Sequence, residues 1–360
     1  MKIGIDLQAT KGRRTGLGVY TENFVQTLTQ DVRPAHQFFF YGKEVTKEWN
    51  TVERWYWENV DLPGRARRDG VNLLHVPAFA PPYVRSFRLV VTVHDLIGMI
   101  YPNQIGLPSR LYWGKWLPVT IKRADAIIAD SENTKRDVLQ HLRVPENKIR
   151  VIYPSGHENF SPQKNGLSLR QLKNRLGIKE KYFLCVGTIE PRKNLARVIE
   201  AFITFLKKKR DIRYQLVVVG SREFAHGKAF QALVDDPAVK FDDVIFTGYV
   251  SHDDLNLLYC GAEVFLFPSL HEGFGIPVLE AMASGVPVLT SDRSSLPEVA
   301  GDAACLVNPY SSAEIAANLE HLSNDSKQRA SLIEKGFRRI KNFSWIQTVS
   351  QTLEVYETLS

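Results

Sequence analysis

Cysteine is scarce in this 360-residue chain, which contains only Cys185, Cys260 and Cys305, and no two of them form a CxxC pair. The number is odd and the positions are scattered, which argues against a disulfide framework and against a cysteine-based zinc site. We therefore expect buried thiols in a protein of a reducing, cytoplasmic compartment.

Long apolar runs are also absent. No uninterrupted apolar stretch approaches the length that crosses a bilayer, and the start at Met1 lacks the apolar core and cleavage site of a signal peptide. We therefore expect a protein that is neither integral to a membrane nor exported through a leader.

The composition that remains is that of an ordinary globular protein, with 44% apolar and 24% charged residues. A chain of this length is too long for one typical core, so two domains are expected. Residues 1–165 hold 23 Lys and Arg against 16 Asp and Glu, so the net charge of +7 lies entirely in the first half. Such a field attracts nucleic acid, an anionic membrane surface or an anionic acceptor such as a lipid-linked diphosphate, while a basic surface without a partner remains the alternative.

Short apolar strands alternate with helical segments, which predicts an α/β fold built from Rossmann-like units. The prolines of residues 75–82 predict a loop there, and residues 108–123 read as an aromatic helix. We place the domains at residues 1–164 and 165–343, with a last helix over 344–360 that returns to the first domain. The clearest predicted strands are Lys2–Leu7, Gln37–Tyr41, Val71–His75, Leu89–Val93, Ala126–Ala129, Ile149–Tyr153, Tyr182–Val186, Leu216–Val219, Val244–Thr247, Val264–Phe267 and Pro287–Thr290.

The first predicted strand leads into a loop, TGLGVY, that contains Gly16 and Gly18, with a helix expected from Val19 onward. The sequence is not GxGxxG, because position 21 is Thr, and this disfavours a Rossmann oxidoreductase. A simple tight turn would also explain two glycines at this spacing.

The most informative stretch is VFLFPSLHEGFGIPVLEAMASG, residues 264–285. A buried strand is followed by a loop with Glu272, Gly273, Phe274 and Gly275, and then by a helix. The two glycines allow the backbone to approach a ligand, and the helix start offers N–H groups to an anion. Glu280, about 4.5 Å along the helix axis from its start, can bond the same ligand, so this stretch predicts a site for a phosphorylated molecule.

A second motif follows the strand that opens the second domain. Gly187 and Thr188 form a turn, and EPRKN then places Arg192 and Lys193 side by side at an expected helix start. A forked donor and a point charge next to a helix dipole form a cationic site for a diphosphate. A solvated basic pair is the alternative.

Two motifs of the chain resemble the signature of the retaining glycosyltransferases of family 4. They are the pair of glutamates separated by seven residues within HEGFGIPVLEAMASGVPV, and EPRKNL. The resemblance is to the members that build bacterial surface polysaccharide. The resemblance extends over nearly the whole chain. It implies the GT-B fold, in which two Rossmann-like domains face each other across a cleft.

The resemblance also implies roles for individual residues. Glu272 would contact the donor sugar, Glu280 would hold the ribose of the nucleotide, and Arg192 and Lys193 would bind its phosphates. The further residues that it implies are Tyr249 and Val250 beside the base, Gly16 and Gly18 near the donor phosphate, His94 near the reacting sugar, and Ser131 and Asn133 on the acceptor side.

These expectations define a function. The chain would move a hexose from a UDP- or GDP-sugar to a hydroxyl of a glycan or lipid-linked acceptor, with retention of configuration. It contains no Asp-x-Asp pair to hold a metal-bound diphosphate, so we expect a metal-independent enzyme without a cofactor. We expect no nucleic-acid partner, because stacking aromatics do not alternate with basic residues in a recognisable module.

Three questions stay open from the sequence. A catalytically silent nucleotide-sugar-binding partner protein is the alternative function. The cytoplasmic location can include peripheral contact with the anionic inner face of the membrane. The sugar, the base and the acceptor are not identified by these motifs.

Overall fold

The computed structural model describes residues 1–11, 16–30, 36–44, 49–78, 80–102, 110–156, 158–163, 166–179, 181–209, 213–220 and 243–360. The chain forms two compact units: Met1–Ser155 with Phe343–Ser360, and Gly156–Asn342. The second unit therefore begins earlier than the expected boundary after residue 164. The C-terminal segment is part of the first unit.

The first unit contains a six-stranded parallel sheet with the order β2-β1-β3-β4-β5-β6. The order reverses between β1 and β3, as in flavodoxin-like sheets. Its strands are β1 (Lys2–Asp6), β2 (Gln37–Tyr41), β3 (Leu73–Val76), β4 (Arg88–Val93), β5 (Ala126–Ala129) and β6 (Ile149–Val151).

Helices cover both faces of this sheet, and two of them contain a π-helical segment, at Trp57–Asp61 and at Tyr112–Trp116. The C-terminal helix shares a core with the first helix, in which Tyr20, Phe24, Trp345 and Tyr356 are buried. The α-helices of this unit are α1 (Gly16–Gln30), α2 (Thr51–Tyr56), α3 (Leu62–Arg68), α4 (Ile97–Ile100), α5 (Leu117–Lys122), α6 (Glu132–Leu142) and, at the C-terminus, α14 (Trp345–Glu357).

The second unit contains another six-stranded parallel sheet, with the order β12-β11-β10-β7-β8-β9. This is the Rossmann order, and it reverses between β7 and β10. Its strands are β7 (Lys181–Val186), β8 (Tyr214–Val219), β9 (Val244–Gly248), β10 (Val264–Phe267), β11 (Val288–Ser291) and β12 (Ala304–Val307).

The helices of the second unit pack against its sheet through apolar side chains, and α8 alone buries Val198, Ile199, Phe202 and Phe205. The described α-helices here are α7 (Gly166–Leu176), α8 (Leu195–Lys208), α9 (His252–Gly261), α10 (Ile276–Ala283), α11 (Leu296–Ala300), α12 (Ser312–Asn324) and α13 (Ser326–Arg339).

The predicted α/β architecture with two Rossmann-like sheets is confirmed. The strands are apolar on both faces, as expected for parallel strands that are covered on both sides by helices. Ser131 and Ser251 cap α6 and α9 by accepting the N–H of Thr134 and of Asp254, as Ser N-caps do. None of the described helices combines the length and apolar character that a membrane crossing requires.

The structure corrects or refines several local predictions. β3 starts two residues later than predicted and ends at Val76, so Val76 belongs to the strand and not to the loop. The helix α1 begins at Gly16, which places both glycines in its first turn instead of in a loop. The helix α7 and the strand β12 were not predicted. The aromatic helix is π-helical at Tyr112–Trp116, and Pro108 lies outside the described residues.

Candidate active site

The loops after β7 and β10 meet at the point where the strand order of the second sheet reverses. The Leu270 N–H donates to the carbonyl of Arg192 at 2.7 Å, which ties one loop to the other. Asn194, in the left-handed conformation with φ 63°, donates through its amide to the carbonyls of Pro268 and Pro309 at 3.0 and 2.7 Å. Ligands of open parallel sheets bind at such reversal points, beyond the carboxyl ends of the strands.

The two cations of the EPRKN motif are joined to the first glutamate. Arg192 Nη1 lies 2.8 Å from Glu272 Oε2, and Lys193 Nζ lies 2.7 Å from Glu272 Oε1. Arg192 Nε also bonds Glu190 at 2.7 Å, and Lys193 lies 4.6 Å from the centre of the Phe267 ring. The structure therefore brings Arg192, Lys193 and Glu272 into one cluster.

This cluster is largely shielded from solvent, since Glu272 is only 6% exposed. Burial alone would raise the pKa of Glu272, but the charges of Lys193 and Arg192 hold it below the ordinary value for glutamate. Burial lowers the pKa of Lys193, and the Glu272 charge offsets part of that effect. Glu272 is thus a carboxylate whose charge is balanced by two fixed cations.

The expected helix start at Arg192 and Lys193 needs a correction. Pro191–Lys193 form a 3₁₀ turn, and the α-helix begins only at Leu195, after the left-handed Asn194. The two cations therefore precede the helix, so their position depends on Glu272 and on the loop contacts more than on a helix dipole. Asn194 is a positioning residue that the sequence did not reveal.

The backbone of Glu272 is held by two serines from the loop after β11. The Glu272 N–H donates to Ser294 Oγ at 2.8 Å, and Ser294 and Ser295 both donate to the Glu272 carbonyl. Ser294 has φ 61°, a conformation that a non-glycine residue adopts at a cost. The two serines were not predicted as site residues, and they link the loop after β11 to Glu272.

The glycines and the aromatic residue of the same loop have distinct roles. Gly275 is the N-cap of α10 with φ 109°, and a side chain there would come within 2.7 Å of Leu296. Phe274 is buried, and its carbonyl accepts from Ser295 at 2.7 Å. Gly273 lies between Glu272 and Phe274, in the bend that precedes α10.

Glu280 occupies α10, where Tyr259 donates its hydroxyl hydrogen to Glu280 Oε2 at 2.9 Å. Burial raises the pKa of Glu280 to about 7, while Tyr259 and the Lys193 charge act in the opposite direction. The charge of Lys193 therefore lowers the pKa of both glutamates.

Glycines, which have no side chain to cover the backbone, lie at the carboxyl ends of β7, β8 and β9. Gly187, Gly220 and Gly248 end β7, β8 and β9 with φ of 137°, 144° and 72°, and Gly220 donates to the Gly248 carbonyl at 3.1 Å. Gly187 and Thr188 line a small pocket together with Lys193. Tyr249 and Val250 follow β9, two strands away from β7, and Tyr249 is 81% exposed.

The predicted site residues of the first unit surround His94. Its Nδ1 lies 2.6 Å from Asp130 Oδ2, and its Nε2 lies 2.6 Å from the carbonyl of Pro77. Burial lowers the pKa of His94, but the charge and hydrogen bond of Asp130 and the bond to Pro77 raise it above the ordinary value overall. Both ring nitrogens face acceptors, so the doubly protonated imidazolium fits this site.

The carboxylate that bonds the His94 ring is not that of its sequence neighbour Asp95. Asp95 accepts the Ile97 N–H at 2.9 Å, whereas Asp130, which follows the adjacent strand β5, bonds the ring. The signal was present, because β4 and β5 were both predicted and each ends in one of these residues. Adjacent parallel strands bring such ends together.

The remaining predicted residues of this unit lie near His94 or in α6. Leu17, between Gly16 and Gly18, lines a small pocket with His94. Ser131 is fully buried as the cap of α6, so its hydroxyl is used within the fold. Asn133 donates to Asp137 at 3.1 Å on the same helix.

Metal ligands were also sought among the described residues. No group of three or more His, Cys, Asp or Glu side chains in those ranges is arranged to hold a metal ion. Metal independence stays a prediction.

Two family models match the chain. The model "Glycosyltransferase Family 4" matches residues 19–155, and "Glycosyl transferases group 1" matches residues 170–339. The O-antigen chain mannosyltransferase B of Escherichia coli is 30% identical over 287 residues, which cover 80% of this chain and 74% of that protein. The chain belongs to glycosyltransferase family 4.

Other comparisons agree with this family-4 assignment. The serotype-specific mannosyltransferase WbdA of Escherichia coli is 29% identical over 79% of this chain, which spans only 34% of WbdA. The sucrose-phosphate synthase of Thermosynechococcus elongatus superposes with a TM-score of 0.78 at 18% identity, covering 99% and 98% of the two chains. Anabaena HepE, solved with UDP-glucose, gives 0.73 at 16% identity, covering 99% and 100%. At these identities the structures show the fold alone, and that fold is GT-B.

Proposed function

We propose that this family-4 glycosyltransferase transfers a hexose, with retention of anomeric configuration, from a nucleoside-diphosphate sugar to a hydroxyl of a glycan or lipid-linked acceptor. The observation that carries the proposal is the cluster of Arg192, Lys193 and Glu272 at the strand-order reversal of the second sheet. Two nearly buried cations held in place before a ligand binds form a preorganised site for a diphosphate.

The proposed step breaks the bond between the sugar C1 and the diphosphate oxygen and forms a bond from C1 to the acceptor oxygen on the same face. Negative charge grows on the leaving diphosphate, and Arg192 and Lys193 stabilise that charge more in the transition state than in the ground state. The acceptor proton passes to the departing phosphate oxygen, so no protein base is required. Glu272 keeps both cations oriented and faces the donor sugar.

The proposal includes the substrates and the setting. The names of both Escherichia coli relatives favour mannose as the sugar, and GDP- and UDP-sugars are both retained as donors. We propose a metal- and cofactor-independent enzyme of surface-polysaccharide synthesis. It acts in the cytoplasm, in peripheral contact with the inner face of the membrane, and has no nucleic-acid partner. A requirement of turnover for added divalent metal would contradict this.

The donor can be identified by thermal unfolding in the presence of UDP, GDP, ADP and their sugar conjugates. A ligand at one hundred times its dissociation constant adds about 2.7 kcal/mol to the unfolding free energy, which is readily measured. We expect one nucleotide and its sugar conjugate to give the largest shift. If none of the three nucleotides shifts the transition, the diphosphate site is wrong.

The mechanism is tested by Arg192→Ala and Lys193→Ala. Each removes one cation from the leaving group, so we expect transfer with the identified donor to fall by roughly 10² to 10³. Lys208→Ala is the control, since Lys208 lies in α8 in an exposed pair with Glu320 at 2.9 Å and should leave transfer unchanged. Near-normal turnover in both variants would exclude the mechanism.

Donor hydrolysis separates the enzyme from the alternative of a silent nucleotide-sugar-binding protein. A competent glycosyltransferase releases some sugar to water, and Lys193→Ala should abolish that release. A wild-type protein that binds the donor but neither hydrolyses nor transfers it, with any acceptor offered, would instead establish the silent partner.

A further inference from the structure

The first unit carries an exposed strip of aromatic side chains. Trp116 lies with its ring centre 6.3 Å from that of Trp55 and 5.8 Å from that of Tyr83, and the guanidinium of Arg123 lies 4.4 Å above the Tyr83 ring. Trp55 is 42% exposed and Tyr83 is 38% exposed. Large aromatic rings are usually placed in the core, so a continuous strip at the surface indicates a contact with something outside the chain.

The strip is fixed in place by the two helices that contain π-helical segments. On their inner side, Tyr112 of one segment donates its hydroxyl hydrogen to the buried Glu58 of the other. Asn59 then accepts the Tyr83 N–H at 3.2 Å and donates to the Trp55 carbonyl at 2.9 Å. These bonds join the backbone at Trp55 to the backbone at Tyr83, so the segments that carry two of the three rings are fixed relative to each other.

Apolar side chains extend the strip along the helix from Thr51 to Arg68. Val52, Tyr56 and Val60 follow one another at four-residue spacing and are 74%, 50% and 43% exposed. Side chains four residues apart lie on the same face of a helix, so these three exposed side chains share the outward face. The outward face of this helix therefore presents apolar side chains to solvent.

Positive charge borders the strip. Lys115, Lys122 and Arg123 are all exposed, and the sequence contains no acidic residue between Asp95 and Asp125. Exposed Val119 lies among these cations on the helix that begins at Leu117. Exposed aromatics mixed with aliphatic side chains and cations match the interfacial layer of a bilayer, where rings lie at headgroup level and cations meet lipid phosphates.

We infer that this aromatic-basic surface, defined by Trp55, Tyr56, Tyr83, Trp116, Lys115 and Lys122, docks on the anionic headgroup layer of a membrane. The inference rests on the peripheral contact proposed above and assigns the residues that make it. Trp55, Tyr56 and Tyr83 place their rings among the headgroups, while Lys115 and Lys122 pair with lipid phosphates. A lipid-linked acceptor would then be presented beside the first unit.

Two other occupants fit the surface less well. A second copy of the chain would bring Lys115 and Lys122 against like charges across a two-fold interface, which is unfavourable. A glycan stacks on aromatic rings, but it offers no counterpart for exposed Val52 and Val60 or for the exposed charges of Lys115 and Lys122. An anionic lipid surface complements both the apolar and the charged part.

Vesicle sedimentation with the full chain tests the inference. We expect the protein to sediment with phosphatidylcholine vesicles that contain roughly 30–40% phosphatidylglycerol. It should bind pure phosphatidylcholine vesicles weakly, and its binding to the anionic vesicles should fall as the salt concentration rises. Lys115→Glu/Lys122→Glu should weaken partitioning by about 25-fold or more, because each basic residue near an anionic surface contributes roughly fivefold. Trp55→Ser/Tyr56→Ser should also weaken binding, and this loss should persist at high salt.

Matched controls lie in the second unit. Lys327→Glu/Lys341→Glu makes the same change in net charge at two exposed lysines, and Leu167→Ser removes a side chain that is 66% exposed. Both should bind vesicles like the wild type. Thermal unfolding of every variant checks that the fold is retained, and the charge variants keep the test valid if Trp55→Ser/Tyr56→Ser does not fold.

Several results would overturn the inference. The inference is wrong if the wild type does not bind anionic vesicles, or if the surface variants bind them like the wild type. It is also wrong if the surface and control variants lose vesicle binding equally. A change of oligomeric state in the surface variants with unchanged vesicle binding would assign the surface to a second copy. Loss of transfer to a water-soluble acceptor, again with unchanged vesicle binding, would assign it to a glycan. Donor hydrolysis in solution reports the proposed function separately, since it needs no membrane.

Discussion

The carboxyl edges of the two sheets are built differently. In the first unit, ionisable side chains come directly at the strand ends: Asp6 ends β1, His94 follows β4 and Asp130 follows β5. In the second unit, three adjacent strands end in glycines with positive φ, and the charged groups arrive from the loops.

This difference separates two tasks. A polar side chain at a strand end is held in one orientation, as His94 is by the hydrogen bonds of both its ring nitrogens. A strand that ends in glycine leaves space for a ligand to approach the backbone, while Arg192 and Lys193 reach the same space from a loop. The second edge is therefore suited to a charged ligand, and the first edge to holding groups in fixed orientations.

The largest expected effect comes from filling that space with Gly220→Ala. The new methyl group would lie 2.1 Å from the carbonyl oxygen of Gly187, at a residue whose φ is 144°. Backbone strain and overpacking together should lower the free energy of unfolding by about 4 kcal/mol. Urea denaturation measures the change, and it should come with a loss of nucleotide binding.

Gly64→Ala in the first unit is the matched control. Gly64 lies in α3, and an added methyl group would find no atom within 4 Å. A helix-interior Gly→Ala change should raise the unfolding free energy by about 0.5–1 kcal/mol. If both variants had the wild-type stability, the close approach of the strand ends at Gly187 and Gly220 would be wrong.

The next largest effect is expected for Glu272→Gln. It removes the charge that balances Arg192 and Lys193, the carboxylate that both cations contact, which should cost about 3 kcal/mol of unfolding free energy at pH 7. The pKa of Glu272 lies below its ordinary value, so its contribution is present above about pH 4.5 and is lost as the pH falls. The stability difference between wild type and variant should shrink in acid.

Glu320→Gln is the control for that change, because its pair with Lys208 is more exposed and such pairs contribute at most about 1 kcal/mol. A loss at Glu272 no larger than that at Glu320 would contradict the buried ion cluster. It would also remove the main support for the diphosphate site.

The sequence predicted the arrangement of strands well where local patterns are sufficient. Val264–Phe267 was predicted residue for residue, because four apolar side chains before a proline and glycine loop fit only a short buried strand. α7 was missed because its Gly and Ser start reads as a linker, although Leu169, Leu172 and Leu176 follow the helical period. β12 was missed because it is a short edge strand with Leu306 partly exposed.

The site was predictable only in part, for a physical reason. Glu272, Arg192 and Lys193 stand in motifs, but the contacts that position them join distant loops. The side-chain amide of Asn194 donates to carbonyls 74 and 115 residues away. Ser294, whose backbone is in the left-handed conformation, bonds the Glu272 N–H from 22 residues away. Hydrogen bonds between loops leave no periodic pattern in a sequence, so only the fold shows them.

The smallest of the three effects is expected at the pinned edge of the first unit. Asp130→Asn removes the charge that holds His94, which should lower the unfolding free energy by about 2 kcal/mol at pH 6. The pKa of His94 is raised in the folded protein, so the wild type has this contribution in full below about pH 6.5 and loses it as the pH rises through the raised value. The difference between wild type and variant should therefore decrease as the pH rises above about 6.5, opposite to the trend expected at Glu272. NMR titration of the imidazole should show a lower pKa in Asp130→Asn, and Asp95→Asn, whose carboxylate bonds the Ile97 N–H, should change that pKa much less. An unchanged pKa in Asp130→Asn would mean that His94 is held by Pro77 alone, and the contrast between a pinned and an open edge would lose its basis.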